Sequence, residues 1–440
     1  MRIIAKVGDA IQRLFGEVAE AAGEVSGVVQ RQRKFDPSTL LQTWVLGFLK
    51  NPNATDEELA QMAAQCGVSV TPQAIDQRHS LRMAAFLKEV FQRAARMAVS
   101  SNRVLSPLLG RFTRVPITDG STVALPDIAQ PEFAGCGGSS PPAALKLQTV
   151  FDLRHGTVTV DVEAGRSPDN ASPRQHERHG RGSLSIKDLG YFHLDVLEEQ
   201  SRSGEYFLSR LQYGTTVIRP TDGVILNLMS WLPHQRGPYI DQPILLGQQK
   251  HLTCRLIAWR LPEEQANERR RKLRVAALRK RGRAPCEERL QWCDWTILIT
   301  NAPNETLSPR EADVLYRARW QVELLFKRWK SLNLVSSLSG STDVRQLVRV
   351  WARLILSLVQ HWLVLASIWG NPAKSLHKAC QAIRDFAGRI ASTQMNRTEL
   401  QRVIETLNQT LAKTCFRNKR QRPGTFEILN DPPLLDLCLT

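Results

Sequence analysis

Apolar positions along the chain follow two periods, and the change between them marks its organisation. Up to residue 110 they recur every three to four positions, over 11–29, 40–49, 59–64 and 81–99, which predicts a helical segment. From Arg111 the period shortens to two. The stretch RVPITDGSTVALP (114–126) alternates and breaks at Asp119-Gly120, predicting strand, turn and strand. LKLQTVFDL (145–153), a turn at His155-Gly156, and TVTVDVEAG (157–165) predict a hairpin. After a polar segment at 167–182, residues 183–211 predict a short strand ending at Asp188, a helix over 192–201 and a strand over 206–211. TTVIRP, DGVILNLMSWL, QPILLG and LTCRLIAWRL read as further strands, and a basic helical stretch (267–283) precedes the strand WTILIT (295–300).

The helical period then returns in SPREADVLYRARWQVELLFKRWKS (308–331). Ser308 is placed to cap, Pro309 suits the first helical position, and Glu311 completes a capping box. No glycine or proline interrupts the chain from there to Ser331, so about six turns of one helix are predicted. Ala318, Val322, Leu325 and Trp329 fall on one apolar side. Tyr316, Arg319, Glu323, Lys327 and Lys330 fall within an arc of roughly 80° beside it. Residues 343–370 predict a long helix stopped by Gly370, and 375–390 and 398–414 two more before a proline-rich end.

These readings predict an α/β protein. A helical DNA-binding domain (1–110) is expected to precede a core in two parts, 111–211 and 295–370, split by a mostly β insertion (212–294) and followed by a helical domain (371–440). Three strands in a meander, then helix and strand in alternation, is the element order of a ribonuclease-H-like fold. Within the first segment, residues 56–79 have helix-turn-helix proportions, with Gly67 in the turn and Thr71-Pro72 opening the second helix.

Composition changes the picture in one respect. Lys and Arg number 59 against 42 Asp and Glu, a formal net charge of +17. Such an excess implies a polyanionic partner, nucleic acid before an anionic membrane surface. The eight cysteines include no C-x-x-C pair, so neither a disulfide framework nor a zinc site is expected. The N-terminus lacks the sustained apolar run of a signal peptide, and the apolar stretch at 354–369, broken by Gln360 and His361, reads as a buried core helix. A soluble intracellular protein is expected.

Three carboxylates carry the candidate chemistry. Asp119 begins Asp-Gly-Ser after an apolar strand, Asp188 begins Asp-Leu-Gly-Tyr after another, and Glu323 lies between Arg319 and Lys330 on the 308–331 helix. Tyr316, two residues, Arg319, three residues, Glu323, six residues and Lys330 form a Y-R-E-K pattern. With the two aspartates upstream, the chain resembles, over about 111–370, the DDE transposases of the insertion-sequence-four family. That resemblance implies two Mg²⁺ ions, replaceable by Mn²⁺, bridged by Asp119 and completed by Asp188 and Glu323, in keeping with the oxygen ligands that hard cations prefer. It also implies that Arg319 and Lys330, with Lys327, hold DNA phosphates, and that Tyr316 bonds a phosphate or stacks. Trp295, with Trp292 as competitor, is the expected platform for a base flipped out near the transposon end. The implied activity is cut-and-paste transposition by a homodimer in the bacterial cytoplasm. The terminal inverted repeats are cleaved, a hairpin forms, and the 3′-hydroxyl joins target DNA; no membrane is involved. Two other readings stand beside it: a non-catalytic DNA-binding regulator, and a metal-dependent nuclease that does not transpose.

Overall fold

The computed structural model describes residues 3–30, 34–103, 105–335, 344–394, 396–418 and 422–438. They form two compact units, each assembled from distant parts of the chain: 1–103, 119–168 and 321–419 in the first, 104–118, 169–320 and 420–440 in the second. Nine strands are present among the described residues: β1 (Pro116–Ala124), β2 (Ala144–Asp152), β3 (Val158–Ala164), β4 (Leu184–Lys187), β5 (Tyr206–Arg210), β6 (Val217–Ile218), β7 (Ile240–Leu246), β8 (Leu252–Arg260) and β9 (Trp295–Thr300).

The first unit is mainly helical and built around Val344–Ser367. This helix packs against Leu81–Ala94, Pro37–Lys50, Arg397–Lys413 and Ile3–Arg13. It is long and apolar enough to cross a membrane, yet 94% of its apolar window is buried inside the protein. Its two polar interruptions are satisfied locally: Gln360 donates to the Cys380 carbonyl (2.7 Å), and His361 Nε2 donates to the Gly156 carbonyl (2.7 Å). Arg353 is buried too, donating to the carbonyls of Leu334 and Pro52, with its guanidinium 5.4 Å from the Phe48 ring centroid. The expected hairpin is present as β2 and β3, paired from Leu145↔Ala164 to Phe151↔Val158. Gly156, in its turn, has φ +69°, and a Cβ there would lie 2.4 Å from Leu365 Cδ1. The turn is glycine because it must be left-handed and must press on the helix.

Residues 56–79 do form helix, turn and helix, with Thr71 capping the second, but that helix spans only Pro72–Asp76. Asp56 and Asp76 both pair with Arg345.

The second unit holds a mixed sheet in the order β1-β4-β5-β9-β8-β7-β6, with β1, β4 and β5 mutually parallel and the remaining pairs antiparallel. In the first unit the order is β3-β2-β1, the chain of β1 running on from one unit into the other. These are the parts expected of a ribonuclease-H-like core. The strands of 212–260 extend the same sheet, β8 lying beside β9 from Arg255↔Thr300 to Arg260↔Trp295. Phe207, Leu256, Ile297 and Ile299 belong to its apolar core.

Three local expectations are corrected. The Asp119-Gly120 break is not a turn: β1 runs through it, and Gly120 does not adopt a positive φ. An Asp-Gly pair bends the chain only where a left-handed φ is used, and here the backbone stays extended. DGVILNLMSWL supplies no long strand, since Asn227 caps a short helix, Leu228–Trp231. The single helix expected over 308–331 is two, Pro309–Ala318 and Trp320–Leu332, because the Arg319 amide donates to the Tyr316 carbonyl (3.2 Å) and tightens the turn between them.

Burial lowers the His361 pKa from 6.5 to about 4, so the ring is neutral in the folded chain. The unfolded chain then binds the extra proton between these values, so stability is full above about pH 6.5 and is lost as the pH falls toward 4. The loss is about 3 kcal/mol. Thermal unfolding across this range is expected to show that slope in the parent and a flatter one in His361→Gln. Identical slopes would reject it.

Candidate active site

Strands β1 and β4 run parallel in the register Ile117↔Ile186 and Thr118↔Lys187. Asp119 is the next residue of β1, and Asp188 is the first residue beyond β4. Both precursors are buried, and both aspartates are half-buried. Asp119 Oδ1 accepts from the Gly120 amide at 2.8 Å. Asp188 leaves β4 and opens a turn, its carbonyl accepting from the Tyr191 amide (3.0 Å). Lys187 is turned the other way and buried, donating to the Gln175 carbonyl at 2.6 Å. Burial, with Arg178 nearby, brings its pKa down to about 8.

Three expected site residues gather within the second unit: Asp188, Arg319 and Tyr316. Arg319 Nε lies 3.7 Å from Asp188 Oδ1, the arginine side chain 18% exposed and the aspartate 43%. Tyr316 is buried. Its ring is covered by the Arg210 guanidinium, 5.5 Å from the centroid. Burial raises its pKa, opposed by Arg210, while Asp188 raises it further. The tyrosine is therefore a spacer between two arginines beside Asp188. Sequence reading missed Arg210: nothing marks the last residue of β5 as the one that covers Tyr316, because that proximity is tertiary.

Glu323, Lys327 and Lys330 lie on the helix Trp320–Leu332 of the first unit. Val322, Leu325 and Trp329 are buried as predicted, Glu323 is half-buried and Lys327 exposed. Lys330 is half-buried, and desolvation lowers its pKa.

Trp295 opens β9 opposite Arg260, and both it and Trp292 are partly buried against the apolar core of the second unit. The Trp295 carbonyl accepts from Arg269 (3.1 Å), and Trp292 meets the Tyr213 ring edge-on at 5.3 Å. Asp313, which no sequence pattern singles out, is buried, bonded by Arg317 and Tyr239, and its pKa is raised by burial.

The donor set is all carboxylate, the chemistry of a hard divalent cation rather than of zinc. Thr118 and Lys187, the residues before Asp119 and Asp188, are partners in the β1–β4 register. Among the described residues no three His, Cys, Asp or Glu side chains already stand as a group able to hold a metal ion. Asp188 is engaged instead by Arg319.

Residues 110–359 match the family described as Transposase DDE domain. Several bacterial proteins are similar over much of the chain. The transposase for insertion sequence element IS231B of Bacillus thuringiensis subsp. berliner is 25% identical, with 92% of this chain and 90% of that protein covered. The transposase for IS231F of Bacillus thuringiensis subsp. israelensis is 28% identical, over 69% and 68%. The transposase for IS1151 of Clostridium perfringens is 26% identical, over 70% of each.

The Asp188–Arg319 pair is partly exposed and so contributes little to stability, roughly 0–1 kcal/mol. Tyr316 fills buried space. Asp188→Asn is expected to leave the melting temperature nearly unchanged, whereas Tyr316→Ala should cost about 3–5 kcal/mol. Denaturant unfolding of both variants checks the contrast, and a large loss in Asp188→Asn would make that aspartate a structural residue.

Proposed function

The chain belongs to the Transposase DDE domain family, and from that premise we propose that it excises and reinserts an insertion sequence. The reaction is metal-dependent cleavage at terminal inverted repeats, a hairpin at the excised end, and joining of the 3′-hydroxyl to target DNA. The observation that supports it best is the parallel register Thr118↔Lys187, which sets Asp119 and Asp188 one step beyond paired neighbours. The relatives' names as insertion-sequence transposases support the same substrate.

We assign the holding of two divalent ions, Mg²⁺ with Mn²⁺ as a substitute, to Asp119, Asp188 and Glu323. Bound there, such ions supply an activated water or hydroxyl and neutralise charge on the attacked phosphate. The protein's own part begins with Arg319. While it pairs with Asp188 it keeps that carboxylate oriented and compensated. The same guanidinium is assigned to a DNA phosphate, which its planar fork would grip in two places. Tyr316, held under Arg210, packs beside Arg319. Lys330 and Lys327, on the following turns, add charge along the strand. Trp295, backed by the core and fixed through its carbonyl by Arg269, is assigned the flipped base. The complex acts as a dimer on two ends in the bacterial cytoplasm.

Purified protein, a duplex carrying the element's own terminal repeat, and Mg²⁺ test this directly. Asp119→Ala, Asp188→Ala and Glu323→Ala are each expected to lower cleavage at least a hundredfold while binding the same duplex. Near-parent cleavage by any one of them rejects the triad. Trp295→Ala should pass the first nick and stall at the hairpin, because only the second step uses the extruded base. Equal loss at both steps, with a lowered melting temperature, would return Trp295 to the core alone.

A further inference from the structure

The helix Glu263–Arg281 carries the sequence ERRRKLRVAALRKR and is capped by Gly282 in the left-handed region. Its first half is tied to the sheet. Ala266 is buried, Arg269 donates to the Trp295 carbonyl and Thr296 Oγ1, and Arg270 pairs with Asp294. Its second half is open. Arg271, Lys272, Arg274, Val275, Leu278 and Arg279 are all exposed, Val275 at 60% and Leu278 at 56%. At about 100° per residue these six fall within roughly 160° of arc, a single face. Exposed apolar side chains between cations are unusual on a free surface and suit a partner with apolar and anionic parts.

The charge on this face is poorly neutralised from within. Glu268 pairs with Arg271 and Lys272. Arg274, Arg279 and Arg283, the last exposed just beyond the cap, form no ion pair among the described residues. From Arg271 to Arg279 the helix advances about 12 Å. That is the rise of three to four base pairs at about 3.4 Å each. Duplex DNA offers such a spacing of phosphates with apolar sugar edges between them.

We infer that this face, with Arg283, docks the phosphate backbone of duplex DNA without regard to base sequence. The inference rests on the reading that the chain acts on DNA, and extends it to a surface outside the carboxylates and the Y-R-E-K helix. The contribution of this face is to affinity and capture, not to the chemical step.

The test is salt-dependent binding of the full chain to a random-sequence duplex, read by fluorescence anisotropy. The variant Arg274→Ala/Arg279→Ala/Arg283→Ala is compared with the charge-keeping Arg274→Lys/Arg279→Lys/Arg283→Lys. Each lost phosphate contact lowers the slope of log affinity against log salt by about 0.9. The alanine variant is therefore expected to show a slope shallower by about 2–3, with an unchanged melting temperature, and the lysine variant a slope near the parent's. At saturating DNA, cleavage should match the parent. A parent-like slope in the alanine variant overturns the inference and leaves the functional reading intact. A parent chain that binds no duplex overturns the functional reading itself. Binding of the parent to vesicles containing phosphatidylserine, lost in the alanine variant while DNA binding stays, would assign the face to a membrane surface and overturn the inference too. Should the alanine variant melt early, Arg279→Glu alone is to be measured, and a parent-like slope there counts against the face.

Discussion

The parallel pairing of β1 with β4 is the constraint on which the rest depends. In parallel strands the hydrogen bonds fix a register without any turn to set it, so Thr118↔Lys187 decides where the next residue of each strand emerges. A slip by one would turn Asp119 or Asp188 to the other face. The buried side chains before them, Ile117 and Thr118 on one strand and Ile186 and Lys187 on the other, hold that register. Asp119 and Asp188, the residues that follow, are each half-buried.

Asp188 is accompanied by an arginine rather than held by burial alone. Arg319 lies against Asp188, and the Arg210 guanidinium covers the Tyr316 ring. The Y-R half of the signature thus serves the second aspartate as much as any substrate. This also explains why the helix signature is interrupted at Arg319. The turn that breaks the ladder there sets the arginine's direction independently of the helix that carries Glu323.

Much of this was legible in the sequence because it is periodic. The β2–β3 hairpin, the capping box at Ser308, the buried stripe of Val322, Leu325 and Trp329, and the buried helix over 344–367 follow from spacing and caps alone. What was not legible depends on neighbours distant in the chain. Asp119-Gly120 reads as a turn until β4 is known to run beside it. Tyr316 reads as open until Arg210 is seen to cover its ring. The long helix reads as buried from its sequence, but which helices cover its apolar surface follows only from the fold. The excess of basic residues was visible at once, yet its uneven distribution, with cations tied to the sheet on one half of a helix and exposed cations on the other, required the fold.

The central claim is that Asp119, Asp188 and Glu323 share divalent cations, and mapping of the metal position tests it without relying on activity. With Fe²⁺ in place of Mg²⁺, ascorbate and peroxide generate hydroxyl radicals at the bound ion, which cut the nearest backbone. The account predicts cuts close to residues 119, 188 and 323 in one preparation, all suppressed by excess Mg²⁺. Cuts confined elsewhere, or cuts at these positions that Mg²⁺ does not suppress, would contradict it.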